Sequence, residues 1–189
     1  MKKLSRILSQ ISLYLSFIVL STMLWSWLFS VRTDAPRDKK IVIYIDCEQA
    51  EETALAARLE EALPDGIRKV EVRLFSYAFF DADAIQQADL YIVSASAAEG
   101  YKDSFVPLPD APDGGTFLID GVPYGLLVHE KGTDGGAEAD LITYRDPDGN
   151  DDDFYLFFGS ASLHVEGNEK AVDNASAELA ARLLADIDP

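Results

Sequence analysis

A stretch near the start of the sequence suits a lipid bilayer better than the interior of a small domain. Residues 7–31 form a run of 25 residues without Asp, Glu, Lys, Arg or His, preceded by Lys2, Lys3 and Arg6 and followed by Arg32. At about 1.5 Å per residue, a helix of this length rises about 37 Å, more than the roughly 30 Å of a bilayer's hydrocarbon core. The sequence therefore predicts a transmembrane helix over residues 7–31.

A cleaved signal peptide is the alternative for the same stretch. Signal peptides usually have an apolar region of about 7–15 residues and a small-residue cleavage site. Here the apolar run continues through Trp25, Trp27 and Phe29, and no Ala-x-Ala occurs near its end. These features favour an uncleaved signal anchor, with the two tryptophans near the membrane interface.

The orientation of the anchor is predicted from domain length, because charge is nearly balanced. Three basic residues precede the run, and four lie within residues 32–40. Long domains translocate largely regardless of their charge, so we expect the C-terminal domain to be extracytoplasmic at the cell membrane. Cys47 is the only cysteine, so it has no intrachain disulfide partner, and we expect a small buried side chain there.

Charge separates the chain into two parts. All 33 acidic residues follow residue 31, with 13 of the 16 basic ones, which gives that part a net charge of −20. Such a surface is repelled by nucleic acid. Solubility is the first explanation of this charge, and a cationic ligand or calcium is the alternative.

Four segments follow from these observations. Residues 1–6 form a short basic tail, residues 7–31 the anchor, and residues 32–40 a polar linker. Residues 41–189 have the length of one ordinary domain with its own core.

Apolar patterning within this domain predicts alternating strands and helices. A β-branched run at residues 41–45 is typical of a strand buried on both faces. A helix follows, with Leu55, Leu59, Ala62 and Leu63 at helical spacing, and it stops at the Pro-Asp-Gly of residues 64–66. Within residues 69–75, Val70, Val72 and Leu74 alternate with charged residues, which predicts a half-exposed strand near a sheet edge.

The remaining pattern changes from parallel to antiparallel. A short helix over residues 81–87, capped by Asp81, leads to a buried strand at 90–93. Runs at 117–119, 124–129, 141–145 and 154–158 are separated by turn residues, which predicts antiparallel strands. A last helix places Val172, Ala175, Leu179 and Leu183 on one face after a cap at Asn168. The predicted fold class is α/β: one three-layer domain with a mixed sheet, a parallel βαβαβ core, antiparallel additions and a C-terminal helix.

Several short motifs together resemble the extracellular solute-binding proteins of bacterial ABC transporters, which have the type II periplasmic-binding-like fold. They are Gly-Ile-Arg-Lys-Val-Glu-Val at 66–72, Ala-Asp-Leu-Tyr-Ile-Val at 88–93, Phe-Val-Pro-Leu at 105–108 and Asp-Gly-Val-Pro-Tyr-Gly at 120–125. Family members usually have two lobes and about twice this length, whereas residues 125–154 leave room only for a hairpin. The resemblance therefore implies a reduced, single-lobe relative that binds a small solute or peptide, or serves a membrane complex as an accessory subunit.

Ligands of open parallel sheets lie beyond the carboxyl ends of the strands. That rule selects a set of polar residues after the three predicted parallel strands, and the hairpin that resembles the family's adds one more. The predicted ligand-binding residues are Asp46, Ser76, Tyr77, Ser94, Ser96 and Tyr124. Each has an ordinary alternative as a helix cap, a turn residue or a packed tyrosine.

An acidic loop at residues 146–153 is the candidate metal site. Its alternating oxygen-bearing side chains are the kind that calcium requires; they are Asp146, Asp148, Asn150 and Asp152. Against the EF-hand pattern, however, Asp151 replaces the turn glycine and Phe157 replaces the bidentate glutamate. A polar turn explains the same residues.

No catalytic or cofactor signature is recognisable. The sequence lacks a Gly-x-Ser-x-Gly elbow, a phosphate-binding Gly-x-x-x-x-Gly-Lys loop and a His-Glu-x-x-His helix, so we expect neither an enzyme nor a cofactor. The interpretation is a membrane-anchored extracytoplasmic binding or accessory module. The alternative is a structural or assembly subunit whose Ser-containing transmembrane helix packs against a membrane protein partner.

Overall fold

A computed structural model describes residues 2–75, 85–108 and 115–185. The chain divides into two compact units, Met1–Pro36 and Arg37–Pro189.

The first unit is one helix, α1 (Lys2–Thr33). Its large apolar side chains are exposed along the described stretch from Tyr14 to Leu28. Within the described part of the chain, no helix combines the length and the apolar character needed to cross a membrane. The transmembrane segment at residues 7–31 therefore stays a prediction.

The second unit is built on a six-stranded mixed sheet. Its strands are β1 (Lys40–Ile45), β3 (Lys69–Leu74), β4 (Leu90–Ser94), β5 (Thr116–Ile119), β6 (Val122–His129) and β8 (Phe154–Phe158), while β2 (Gln49–Ala50) and β7 (Ile142–Thr143) form a separate sheet. The order across the six-stranded sheet is β3-β1-β4-β8-β6-β5. Strand β1 pairs in parallel with β3 on one side and with β4 on the other. Strands β8, β6 and β5 then add in antiparallel fashion. The α/β class with a mixed sheet is confirmed.

Burial follows the sequence pattern of the parallel strands. All five residues of β4 are buried, as are five of the six in β1, which fits their places inside the sheet. In β3 the alternate residues Val70, Val72 and Leu74 are buried, and β3 forms one edge of the sheet. The predicted edge position of this strand is therefore confirmed.

Apolar clusters cover both faces of the sheet. On one face, Leu55 of α2 (Glu52–Glu60) and Leu179 of α4 (Ala175–Ala185) pack in a cluster with Ile43 of β1. On the other face, a cluster containing Tyr44 and Tyr91 includes residues of α3 (Ala95–Ala98) and of the segment after it. A 3₁₀ helix, Glu99–Ser104, continues directly from α3, and another, Arg37–Lys39, precedes β1.

The helix boundaries differ from the prediction at two places. Helix α2 ends at Glu60, which leaves Ala62 exposed beyond it. Helix α4 begins at Ala175, and Val172 is 60% exposed ahead of it. Asn168 does not cap this helix, because its Nδ2 donates hydrogen bonds to the carbonyls of Gly159 and Ser162.

One predicted strand is mostly absent from the described sheet. Of residues 141–145, only β7 (Ile142–Thr143) is a strand, and it pairs with β2 (Gln49–Ala50) in a separate two-stranded sheet. The reason is that the backbone N–H groups of Leu141 and Ile142 both donate to the Glu138 carbonyl, so this segment forms a turn. Most of the predicted helix at 81–87, with its Asp81 cap, lies outside the described residues.

Candidate functional site

A pocket of about 430 Å³ opens at the carboxyl ends of β1, β3 and β4. This is where the sheet order changes direction, because the chain passes from β1 outward to β3 and then returns across β1 to β4. Ligands of open α/β sheets bind at such a switch point. The lining includes three carboxyl groups, two serines and two aromatic rings, from Asp46, Asp146, Asp148, Ser94, Ser96, Phe75 and Tyr101.

Asp46 is the residue that follows β1 directly, and its backbone N–H donates to the Ile92 carbonyl at 2.8 Å. This bond holds it against β4, and the residue is only 5% exposed. Among the described residues, none donates a hydrogen bond to its carboxylate. Burial raises the pKa of Asp46 to about 6, and the negative charge of Asp146 adds to the increase. Near neutral pH, the pocket therefore contains an ionised carboxylate for which the described protein supplies no donor.

Asp146 reaches the pocket from a tight polar turn between β7 and β8. Its Oδ1 accepts hydrogen bonds from the N–H groups of Asp148 at 3.0 Å and Asn150 at 2.7 Å. Its Oδ2 accepts from the Asn150 side chain at 2.9 Å. These bonds, led by the one from the Asn150 amide, hold the pKa of Asp146 below its usual value. The turn residues expected from the sequence thus position two carboxylates at the pocket.

The same loop also supports the short helix α3. The Ser96 N–H donates to Asp152 Oδ2 at 2.9 Å, and the Ala95 N–H donates to the Asp153 carbonyl at 2.8 Å. Ser94 is fully buried at the end of β4, and its hydroxyl oxygen lies 3.5 Å from that of Ser96. The hydrogen bond from the Ser96 N–H shows that the Asp152 side chain positions the backbone at the start of α3.

Two aromatic side chains form another part of the lining. The ring centroids of Phe75 and Tyr101 are 5.0 Å apart, with the rings inclined at 54°. Burial raises the pKa of Tyr101, and the charge of Asp46 contributes to this increase. The pocket thus combines an aromatic surface with a nearby carboxylate.

The structure brings together part of each predicted site. Asp46, Ser94 and Ser96 of the ligand set share the pocket with Asp146 and Asp148 of the calcium set. Ser76 and Tyr77 lie outside the described residues. Tyr124 does not line this pocket, because it lies near the start of β6, beside the amino end of β4.

Calcium coordination stays a prediction. In the described ranges there is no group of three or more His, Cys, Asp or Glu side chains placed to share a metal ion. The oxygens of Asp146 and Asp152 instead accept hydrogen bonds from protein N–H groups, and Asn150 is a donor to Asp146.

Phe75 and Tyr101 were not among the sequence candidates. Phe75 immediately follows β3, so the carboxyl-end rule that selected Ser76 also applies to it. Tyr101 lies in the 3₁₀ helix after α3, and no pattern in the sequence distinguishes it from other half-buried tyrosines.

A second polar cluster contains a serine, a histidine and an aspartate but has no catalytic geometry. The Ser162 hydroxyl donates to Asp89 Oδ1 at 2.5 Å and accepts from the His164 backbone N–H at 2.9 Å. The two ring nitrogens of His164 contact Asp173 Oδ1 at 2.8 Å and the Arg37 carbonyl at 3.3 Å. Because neither ring nitrogen faces the Ser162 hydroxyl, the histidine cannot act on it as a base.

Cys47 behaves as the sequence predicts for a buried thiol. It is 4% exposed, and its Sγ donates to the Gln49 carbonyl at 3.3 Å. Burial raises the pKa of Cys47 to about 12, so the nucleophilic thiolate is scarce at neutral pH.

The pocket is thus the described feature that combines concavity, buried polar groups and an aromatic surface. No family model matches the chain, and no curated protein shows significant similarity to it.

Proposed function

We propose that this protein is a membrane-anchored extracytoplasmic binding module, without enzymatic activity, that takes a small solute in the pocket at the carboxyl ends of β1 and β4. The observation that supports this function best is Asp46, a buried carboxylate at the switch point of the sheet with no described hydrogen-bond donor. The motif resemblance to one lobe of extracellular solute-binding proteins supports the same function.

The size and composition of the pocket favour a small molecule. Small-molecule sites commonly enclose about 300–1,000 Å³ and combine apolar walls with a few polar groups. The volume of about 430 Å³ lies in this range, and its lining has both components.

The anchor is supported by the sequence and by the exposure of α1. Residues 7–31 have no charged side chain, and Leu20, Leu24 and Trp25 of this run are each more than 60% exposed. Lipid would cover such a surface. In the proposed function, the bilayer is one partner of the chain and the solute is the other.

A structural or assembly role through α1 is the second candidate. Seven of the first 30 residues are serines, and small or hydroxyl side chains favour close helix packing in membranes. In this alternative the partner is another membrane protein and the pocket is incidental.

A thermal-shift screen of the full chain in detergent tests the first candidate. The probes are amino acids, short peptides, sugars, polyamines and calcium. A ligand at about 100 times its Kd stabilises the folded state by about 2.7 kcal/mol. We expect a concentration-dependent rise for one class of solute, reduced in Tyr101→Ala and retained in the surface variant Asp65→Asn. A flat screen on a cooperatively unfolding protein would overturn the solute-binding function.

Exchange of the anchor separates the two candidates. Residues 7–31 are replaced by an unrelated transmembrane sequence without serine. The binding function predicts that the chain stays in the membrane fraction and keeps its solute-induced shift. The assembly function predicts that co-purification with a membrane protein partner is lost. Release of the unaltered chain from membranes by alkaline carbonate would contradict the anchor itself.

A further inference from the structure

We infer that the pocket selects a ligand that bears a protonated amine, with the Asp46 carboxylate as its counter-ion. This inference rests on the proposed binding function and names the chemical class of the solute.

The first argument is the unmet hydrogen-bonding capacity of Asp46. The residue is 95% buried, it lines the cavity, and no described residue donates to its carboxylate. A buried charge without compensating hydrogen bonds is costly, so such carboxylates are normally paired. By contrast, the completely buried Asp89 accepts hydrogen bonds from three other residues of the protein. An ammonium group in the cavity would supply Asp46 with both charge and donors.

The second argument is the sign of the charge around the cavity. Three carboxyl groups line it, from Asp46, Asp146 and Asp148, and the described lining contains no Lys, Arg or His. An anion would meet repulsion from each carboxylate. A neutral solute would leave the Asp46 charge uncompensated.

The third argument separates an organic cation from a metal ion. Calcium takes six to eight oxygen ligands, whereas the Asp146 oxygens already accept hydrogen bonds from Asp148 and Asn150. Phe75 and Tyr101 add aromatic surface, which is unsuited to a hard metal ion. Aromatic rings attract organic ammonium groups and pack against their apolar parts.

Three probes of one shape test this inference on the full chain in detergent: phenethylamine, 2-phenylethanol and 3-phenylpropanoate. They share a ring and a short chain but end in an ammonium, a hydroxyl and a carboxylate. Spermidine and calcium complete the set. Isothermal titration at pH 7.5 is expected to show an amine binding at least tenfold more tightly than the alcohol or the carboxylate.

Two variants assign the effect to Asp46. Asp46→Asn keeps the size of the side chain and is expected to weaken amine binding at least tenfold. Asp65→Asn, a substitution at an exposed position in the turn before β3, is expected to leave amine binding unchanged.

The pH dependence of binding is a further test. For the unaltered chain, lowering the pH from 7.5 to 5 is expected to weaken amine binding about tenfold, because Asp46 becomes protonated near pH 6. Asp46→Asn should largely remove this pH dependence, whereas a dependence arising from Asp146 or Asp148 would persist in that variant.

The outcomes distinguish failure of the inference from failure of the proposed function. If the alcohol, the carboxylate, calcium or any non-amine of the wider screen binds in preference to the amines, the amine inference is wrong and the binding function stands. Amine binding that is equal in the unaltered chain and Asp46→Asn also overturns the inference. If neither these probes nor the wider screen gives a signal, both fail.

Discussion

Arg37 Nη1 lies 2.7 Å from Asp89 Oδ2, and the Asp89 side chain is completely buried. The second guanidinium nitrogen of Arg37 is 3.1 Å from Asp89 Oδ1, so the pair is bidentate. The carboxylate also accepts from the Val42 N–H and the Ser162 hydroxyl. Asp89 therefore joins the segment before β1, β1 itself and the loop after β8.

Replacement of Asp89 by Ala should strongly destabilise the second unit. The change removes the acceptor of four hydrogen bonds. Removal of one partner from a buried ion pair costs about 3–5 kcal/mol. We expect a loss of about 3 kcal/mol in the free energy of unfolding. Both tryptophans lie in α1, so hydrogen exchange of β1 and β4 amides, rather than tryptophan fluorescence, is the suitable measurement.

Ser162→Ala is the matched control for this change, because it removes one of the donors and leaves the ion pair intact. Its expected cost is about 2 kcal/mol, because the Ser162 hydroxyl makes two hydrogen bonds, one to Asp89 and one from the His164 N–H. An Asp89→Ala variant no less stable than Ser162→Ala would show that the network contributes little.

Gly159 is predicted to tolerate no side chain. A Cβ atom built there would lie 2.0 Å from the Ala88 carbonyl oxygen and 3.3 Å from the Tyr91 ring. The obstacle is backbone of the loop that leads into β4, which cannot move aside without disturbing the sheet. Gly159→Ala is therefore expected to lower the free energy of unfolding by about 3 kcal/mol, at the upper end for overpacking.

Gly100→Ala supplies the comparison, because no atom lies within 4 Å of the corresponding Cβ position. We expect its effect to stay within about 0.5 kcal/mol, as for most surface substitutions. Denaturant unfolding of both variants, followed by near-ultraviolet circular dichroism, measures the difference. Equal stability of the two variants would contradict the close approach at Gly159.

The sequence predicts the sheet well where apolar patterning is strong. Strands β1, β3 and β4 have clear burial patterns, and the βαβ order predicts that they pair in parallel. The sequence predicts a strand at residues 141–145, of which only β7 forms. Its pairing with β2 could not be predicted, because the two strands lie far apart in the sequence. The sequence places the start of α4 too early, because Asn168 resembles a helix cap. In the structure its side-chain amide instead donates hydrogen bonds to the carbonyls of Gly159 and Ser162.

The candidate site, like the sheet, is predictable from the sequence only in part. The carboxyl-end rule locates Asp46, Ser94 and Ser96, because each lies at or just beyond the end of a predicted strand. The same rule does not place Asp146 at this site, because Asp146 lies 100 residues after Asp46 and reaches the pocket only through the folded turn. Tyr124 is selected by motif resemblance alone. Because β8 is antiparallel to both of its neighbours, β6 runs in the same direction as β4, and Tyr124 near the start of β6 lies at the amino end of β4, away from the pocket.

Asp46→Asn should increase stability at neutral pH. Burial raises the pKa of Asp46 from 3.8 to about 6, so the folded state binds the proton more tightly than the unfolded state. The stability that this proton confers is complete below about pH 3.8 and is lost as the pH rises through 6. At roughly 1.4 kcal/mol per pKa unit, the variant should gain up to about 3 kcal/mol at pH 7.5 and almost nothing near pH 4.

Urea unfolding of both proteins between pH 4 and pH 8 checks this prediction. Asp65→Asn changes charge by the same amount at an exposed position and should show no such pH-dependent gain. If Asp46→Asn is less stable than the unaltered chain at pH 7.5, a favourable contact of the carboxylate outweighs its burial.

Asp146→Asn should lower the pKa of Asp46 while the turn persists. The Asn oxygen can still accept from the N–H groups of Asp148 and Asn150, as Oδ1 of Asp146 does. The substitution removes the negative charge, the second cause of the raised Asp46 pKa, but not the burial, which is the larger cause. The pKa of Asp46 should therefore fall and still exceed 3.8, as measured by carbon-13 NMR titration of its carboxyl group.

Asp148→Asn, two residues along the same turn, is the matched control and should leave the pKa of Asp46 nearly unchanged. Equal decreases in the two variants would mean that the overall charge of the loop, rather than the proximity of Asp146, controls Asp46.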